Sequence, residues 1–149
     1  MLDRAETGVK PFAVRALGAE YHTGDITDIS KEIRPDVVIE CTGVAELVAG
    51  AMQHTAPGAI VCLTGVSASR TLSLDIGAIN KELVLENDVV FGSVNANRRH
   101  FDQAVKALTD ADQDWLRRLI TRSVPFDSWQ DALERGDDDI KVVVEFSRP

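Results

Sequence analysis

Aromatic residues are scarce in this chain of 149, at 5% of the total. Its core must therefore rest on Val, Ile, Leu and Ala, which the 44% apolar content supplies. Cysteine is scarcer still. Cys41 and Cys62 have no close partner in sequence, which excludes a disulfide framework and a zinc site built on cysteine spacing. Each sits in an apolar run and reads as a buried small hydrophobe rather than a reactive thiol. Basic charge is in deficit, with 16 Lys plus Arg against 24 Asp plus Glu and a net charge of −8. That balance argues against nucleic acid and anionic membranes as partners. No apolar stretch approaches the roughly 20 residues of a membrane span. Met1-Leu2-Asp3-Arg4 lacks the apolar run of a secretory signal. The expectation is a cytoplasmic, folded chain with no membrane partner, long enough for one domain and a small appendage.

What is present is an alternation of apolar runs and amphipathic stretches. Leu2 reads as the last residue of a strand, with Asp3-Arg4-Ala5-Glu6 as its loop. Pro11 opens a helix carrying Phe12, Val14 and Leu17, and Gly18 ends it. Ala19 to His22 is a short strand candidate, and Asp25 to Ile33 a short helix. Asp36 to Cys41 and Ala59 to Leu63 are β-branched runs of the kind buried on both faces. Between them Val44, Leu47, Val48, Ala51 and Met52 recur at helical spacing. Strand, helix and strand in succession imply parallel strands with right-handed crossovers. Leu83-Val84-Leu85 and Val89-Val90-Phe91 read as two strands around a turn at Glu86-Asn87-Asp88. Asn97 is a good N-cap for a helix with an apolar stripe of Phe101, Ala104, Val105 and Leu108. Trp115, Leu116 and Leu119 fit a short helix, and Thr121 to Phe126 a strand. Asp127 and Gln130 have capping-box spacing, with Trp129, Ala132 and Leu133 facing inward. Asp137-Asp138-Asp139 reads as a solvated loop before a last strand, Ile140 to Phe146.

In an open α/β sheet, ligands bind beyond the carboxyl ends of the strands. Three of those ends, Cys41-Thr42-Gly43, Leu63-Thr64-Gly65 and Gly92-Ser93-Val94-Asn95, combine small residues with glycine. One such turn is ordinary loop chemistry. Three on successive strands make a crevice where a flat ligand can lie against backbone amides. Asp3, ending a strand, can accept hydrogen bonds from adenosine-ribose hydroxyls, and Arg4 can lie on adenine or meet a 2′-phosphate. The competing reading is two solvated charges. Lys141 is either a cation within reach of a pyrophosphate or a snorkelling lysine. His22, His54 and His100 have no metal-ligand spacing and fit surface or capping roles.

The stretch Val90-Phe91-Gly92-Ser93-Val94-Asn95-Ala96-Asn97-Arg98-Arg99-His100-Phe101 resembles the segment ending the cofactor domain of glucose 1-dehydrogenases, which are zinc-dependent medium-chain dehydrogenases. Asp36 to Gly43 and Pro57 to Val66 fit the same family in order and spacing. The resemblance spans essentially the whole chain and implies an α/β fold, an incomplete Rossmann domain of mostly parallel strands. It implies a chain that begins inside the cofactor domain, without the first strand and its glycine-rich turn. Residues 1–109 would then be the partial NAD(P)-binding domain, and 110–149 a return segment toward a catalytic domain.

The same resemblance assigns cofactor contacts. Asp3 and Arg4 match the ribose selectors, and Ala5 stands where NADP-preferring members carry an arginine. The expected preference is therefore NAD over NADP. Leu63, Thr64 and Gly65 match the nicotinamide-side wall. Ser93, Val94 and Asn95 match a stretch touching the nicotinamide, Asn95 also matches a sugar contact, and Lys141 matches a basic residue near the pyrophosphate. Zinc ligands and catalytic residues match nothing in this chain. The implied parent reaction is hydride transfer from the anomeric carbon of an aldose, glucose above all, to the nicotinamide. The alternative is a non-catalytic Rossmann module that dimerises or remains as an inactive remnant. A methyltransferase-like Rossmann enzyme would leave the Gly92 to Phe101 motif unexplained. A homodimer is expected through a strand edge at Leu83 to Leu85, with a second bare edge at Val37 to Cys41.

Overall fold

The computed structural model describes residues 1–146 and is of the α/β class. Its elements are α1 (Val9–Ala16), α2 (Ile26–Ile29), β1 (Val37–Glu40), α3 (Ala45–Ala51), β2 (Ile60–Leu63), α4 (Ile76–Glu86), β3 (Val89–Gly92), α5 (Arg98–Asp110), α6 (Gln113–Leu119), β4 (Ile120–Pro125), a 3-10 segment (Phe126–Leu133) and β5 (Lys141–Glu145). They form two compact units, Gly24–Ala96 and Met1–Thr23 joined with the chain from Asn97 onward. Among the described residues, no helix is long and apolar enough to cross a membrane.

In the unit Gly24–Ala96, three parallel strands lie in the order β1-β2-β3, with α3 and α4 as the crossovers. Glu40 stands opposite Leu63, and Leu63 opposite Gly92, so the three strands end level. The core sits around β2, where Val61 and Ala59 are buried with Ala49, Ala51 and Ile79. These are small or branched aliphatics, as the aromatic deficit requires. The Asp88 carboxylate accepts hydrogen bonds from Thr55 Oγ1 (3.2 Å) and the Ala59 N–H (2.9 Å), tying the loop before β2 to the start of β3. β1 is an edge, with Val37 and Ile39 59% and 63% exposed.

Leu83-Val84-Leu85 is not a strand and offers no sheet edge for a dimer. It is the last part of α4, and the edge opposite β1 is β3. Three apolar residues in a row carry no period. The deciding signals lie outside them: the Asp75 side chain accepts from the Ala78 N–H to start the helix, and Asn87 in the left-handed conformation (φ 61°) ends it. Ile79 faces the core, and Val84 and Leu85 remain exposed.

In the second unit, the strand expected at Ala19 to His22 is a single parallel bridge between Leu2 and His22. α1 buries Pro11 and Ala13 rather than Phe12 and Leu17, which stay exposed. The Trp115 indole N–H donates to the Ala13 carbonyl (2.8 Å), holding α6 to α1. That tie groups the start of the chain with its last third, so the compact units part at 23/24 and 96/97.

β4 and β5 pair in parallel, with Val124 opposite Val144. The segment between them is a 3-10 run broken at Ser128, and Trp129 and Leu133 do not face inward, being 46% and 76% exposed. Its inner side is held by Arg122 instead. The guanidinium donates to the Asp131 carbonyl (2.8 Å), the Glu134 carbonyl (2.6 Å) and the Asp139 carboxylate (2.7 Å). Asp139 therefore belongs to a structural ion pair, not to a solvated acidic run. Arg122 holds its carboxyl below the ordinary carboxylate value, reinforced by the Gly136 N–H.

Candidate cofactor site

The unit Gly24–Ala96 brings Leu63, Thr64, Gly65 and Ser93 to one end of the sheet, with Val94 and Asn95 following directly. The Ser93 N–H donates to the Leu63 carbonyl (3.0 Å), which fixes the departure of the chain from β3 beside that from β2. Ser93, Val94 and Asn95 are all exposed.

The turns after β1 and β2 are built on one residue, Glu40. Its side chain is buried, 5% exposed, at the end of an otherwise apolar strand. Its carboxylate accepts from the Thr42 N–H (2.7 Å), the Thr42 hydroxyl and the Gly43 N–H (3.1 Å). Its main-chain carbonyl accepts from the N–H groups of Thr64 (2.8 Å) and Gly65 (3.1 Å) and from the Thr64 hydroxyl (2.9 Å). The two Thr-Gly turns thus meet on opposite ends of Glu40.

Glycine is required at both turns, for different reasons. Gly43 adopts φ +68°, where a side chain is strained, and an added Cβ would stand 2.6 Å from the Val66 carbonyl oxygen. Gly65 lies so close to its neighbour that a Cβ would stand 2.1 Å from the Gly43 nitrogen. The small residues therefore serve the packing of one turn on the other. The expectation that their amides lie open to a ligand is corrected, because those amides point at Glu40. Cys41 is corrected too. It lies one residue past the edge strand β1 and is exposed, with the Thr64 hydroxyl 3.3 Å from its sulfur; Cys62 is half-buried.

Asp3 and Arg4 lie in the other unit, just past the Leu2 bridge. Asp3 Oδ1 accepts from the N–H groups of Arg4 (2.6 Å) and Ala5 (3.2 Å), and Oδ2 faces Lys10 Nζ at 3.4 Å. Partial burial pushes the carboxyl up, but those two N–H groups and the Lys10 ammonium together outweigh it and lower its pKa. Asp3 is thus an ionised acceptor with one oxygen committed to the backbone, and Arg4 is exposed. Lys141 opens β5 opposite Ile120, with its side chain exposed.

His100 caps α5 reciprocally with Asn97, and His22 lies 3.3 Å from Glu20, in keeping with capping and surface roles. Among the described residues, no group of three or more His, Cys, Asp or Glu could hold a metal ion. Sequence reasoning missed two residues. Glu40 was signalled by a lone acid in a Val-Val-Ile run, since a buried charge must be satisfied by something nearby. Lys10 had no such signal, because only the folded loop brings it to Asp3.

Comparison with known proteins places this architecture. Residues 1–146 match the family model described as glucose dehydrogenase C-terminus. The glucose 1-dehydrogenase of Methanocella arvoryzae is 34% identical over 150 residues, covering 95% of this chain and 42% of that protein. Glucose 1-dehydrogenase 1 of Caldivirga maquilingensis is 33% identical over 147 residues, covering 97% and 42%. The solved glucose dehydrogenase of Haloferax mediterranei in complex with NADP, zinc and gluconolactone superposes with a TM-score of 0.92 at 27% identity, covering 99% of this chain and 43% of that one. The chain thus spans about two fifths of the length of these relatives.

Proposed function

This chain belongs to the glucose dehydrogenase C-terminal family, and from that premise we propose that it is the cofactor-binding part of an NAD(P)-dependent aldose 1-dehydrogenase acting on glucose in the cytoplasm. One observation carries the reading: three parallel strands end level, and their turns place Leu63, Thr64, Gly65 and Ser93 to Asn95 along one sheet end. In this reading, that end receives the nicotinamide. Asn95 also contacts the sugar, Asp3 and Arg4 receive the adenosine ribose, and Lys141 serves the pyrophosphate. Residues 1–109 act as the partial cofactor domain and 110–149 as the return segment.

The residues suit a dinucleotide. Among the described residues, Asp3 Oδ2 takes no backbone donor and faces Lys10 alone, so a ribose hydroxyl can donate to it, and a carboxylate there favours NAD over NADP by repelling a 2′-phosphate. When bound, the nicotinamide supplies hydride acceptance, and this chain's part is to orient it and wall it from water. The solved relative holds zinc, but the described residues of this chain include no cluster fit to bind it.

Fluorescence titration of the 149-residue chain with NADH tests the reading. Saturable binding reversed by NAD supports it, and no binding at millimolar NADH overturns it. A second reading, association without catalysis, draws on the exposed Val37 and Ile39 of edge strand β1. It gives a homodimer by light scattering that is indifferent to NADH.

A further inference from the structure

We propose that Glu40 is a positioning residue of the nicotinamide crevice, locking the turns after β1 and β2 in the geometry that a nicotinamide requires. The inference rests on the reading of Leu63 to Gly65 and Ser93 to Asn95 as the nicotinamide wall.

Burying a carboxylate is costly unless donors surround it, and an aliphatic residue would close the end of β1 at no such cost. Glu40 is buried nonetheless, and among the described residues its carboxylate bonds go to Thr42 and Gly43. Those two residues form the turn against which Gly65 packs, leaving no room for a Cβ. A Gly65 Cβ would also stand 2.8 Å from Glu40 Oε2. The carboxylate therefore sets where Gly43 sits, and Gly43 packs directly on Gly65, the residue that follows Leu63 and Thr64 in the nicotinamide wall. Glu40 touches no ligand in this scheme and acts through the turns.

A side-chain substitution separates this role from a general structural one. The main-chain carbonyl of residue 40 keeps its bonds to Thr64 and Gly65 in any variant, and the β1-β2-β3 ladder loses none of its own bonds. Glu40→Ala releases only the Thr42-Gly43 turn. Glu40→Gln keeps one acceptor oxygen for that turn and should retain part of the function.

Both variants and the wild-type 149-residue chain are titrated with nicotinamide mononucleotide by NMR, with 5′-AMP as the probe of the Asp3 loop and amide exchange at Val61 as the probe of the sheet. The expected result is nicotinamide mononucleotide binding weakened about tenfold in Glu40→Ala, the scale of one lost buried hydrogen bond. Glu40→Gln should be weakened less, with faster exchange at Gly43 in both variants. The 5′-AMP response and Val61 protection should stay at wild-type levels. Wild-type affinity in Glu40→Ala overturns the proposal. So does a joint fall of nicotinamide mononucleotide binding, 5′-AMP binding and Val61 protection, which marks a merely structural residue. If Glu40→Ala does not fold, the same outcomes are read on Glu40→Gln. A wild-type chain that binds 5′-AMP but not nicotinamide mononucleotide overturns the nicotinamide-wall reading itself, and this proposal with it.

Discussion

Replacing Gly65 by alanine adds one methyl group where the structure has no room. The new Cβ would stand 2.1 Å from the Gly43 nitrogen and 2.8 Å from both Gly43 Cα and Glu40 Oε2, whereas ordinary contact begins at 3.4 Å. The obstacle is backbone, and Gly43 is itself fixed by its bond to Glu40 and by its approach to the Val66 carbonyl. Relief requires the two turns to separate by more than an ångström, at the expense of the bonds that meet on Glu40. Overpacking of a well-packed site costs about 1–3 kcal/mol, and a backbone obstacle puts this one at the upper end. For a chain of this length that corresponds to a melting temperature lower by roughly 6–12 °C. Gly92→Ala is the control. It lies across from Leu63 in the same sheet, yet its Cβ would meet nothing nearer than the Leu63 carbonyl oxygen at 4.0 Å. It should melt within about 0.5 kcal/mol of the wild type. Thermal unfolding by circular dichroism measures both. Equal melting of the two variants would refute the account of the turns as mutually packed.

Three further outcomes follow from the geometry. Asp3→Asn removes the charge that repels a 2′-phosphate and leaves Lys10 and Arg4 beside the vacated carboxylate; the ratio of 2′-AMP to 5′-AMP affinity should rise about tenfold by calorimetry, in line with one unit charge removed at short range. Because the Asp3 pKa is lowered in the fold, its stabilising contribution is complete above the ordinary carboxylate value of 3.8 and is lost as pH falls through the lowered value; Lys10→Met, removing one cause of that lowering, should shift the Asp3 carboxyl titration upward by NMR. The 149-residue chain, having no ligand cluster among its described residues, should bind no stoichiometric zinc and oxidise no glucose with NAD or NADP; metal analysis and turnover measurements check this.

The parallel strands were legible because each is a run of β-branched residues bounded by glycine or proline, with a helical period between two of them. Their ends, and hence Leu63 to Gly65 and Ser93 to Asn95, were legible for the same reason. Leu83 to Leu85 was not, because three adjacent apolar residues suit a strand and a helix equally, and the caps that decide lie at Asp75 and Asn87. The inward face expected for Trp129 and Leu133 failed because Arg122, four residues before the segment and read only as part of a strand, satisfies its carbonyls and holds it by polar bonds. Phe101, Val105 and Leu108 lie on α5 at the expected helical spacing, yet all three are exposed. Periodicity says which side chains share a face and not what covers that face. Lys10 escaped notice because its partner is seven residues away in a loop without a regular period.

The most direct test of the central claim is an NMR map of NAD on the 149-residue chain. The account predicts saturable shift changes at Thr64, Gly65, Ser93, Val94 and Asn95, and saturable changes at Asp3 and Arg4. Changes confined to other surfaces, such as α5, or no change at millimolar NAD, would contradict it.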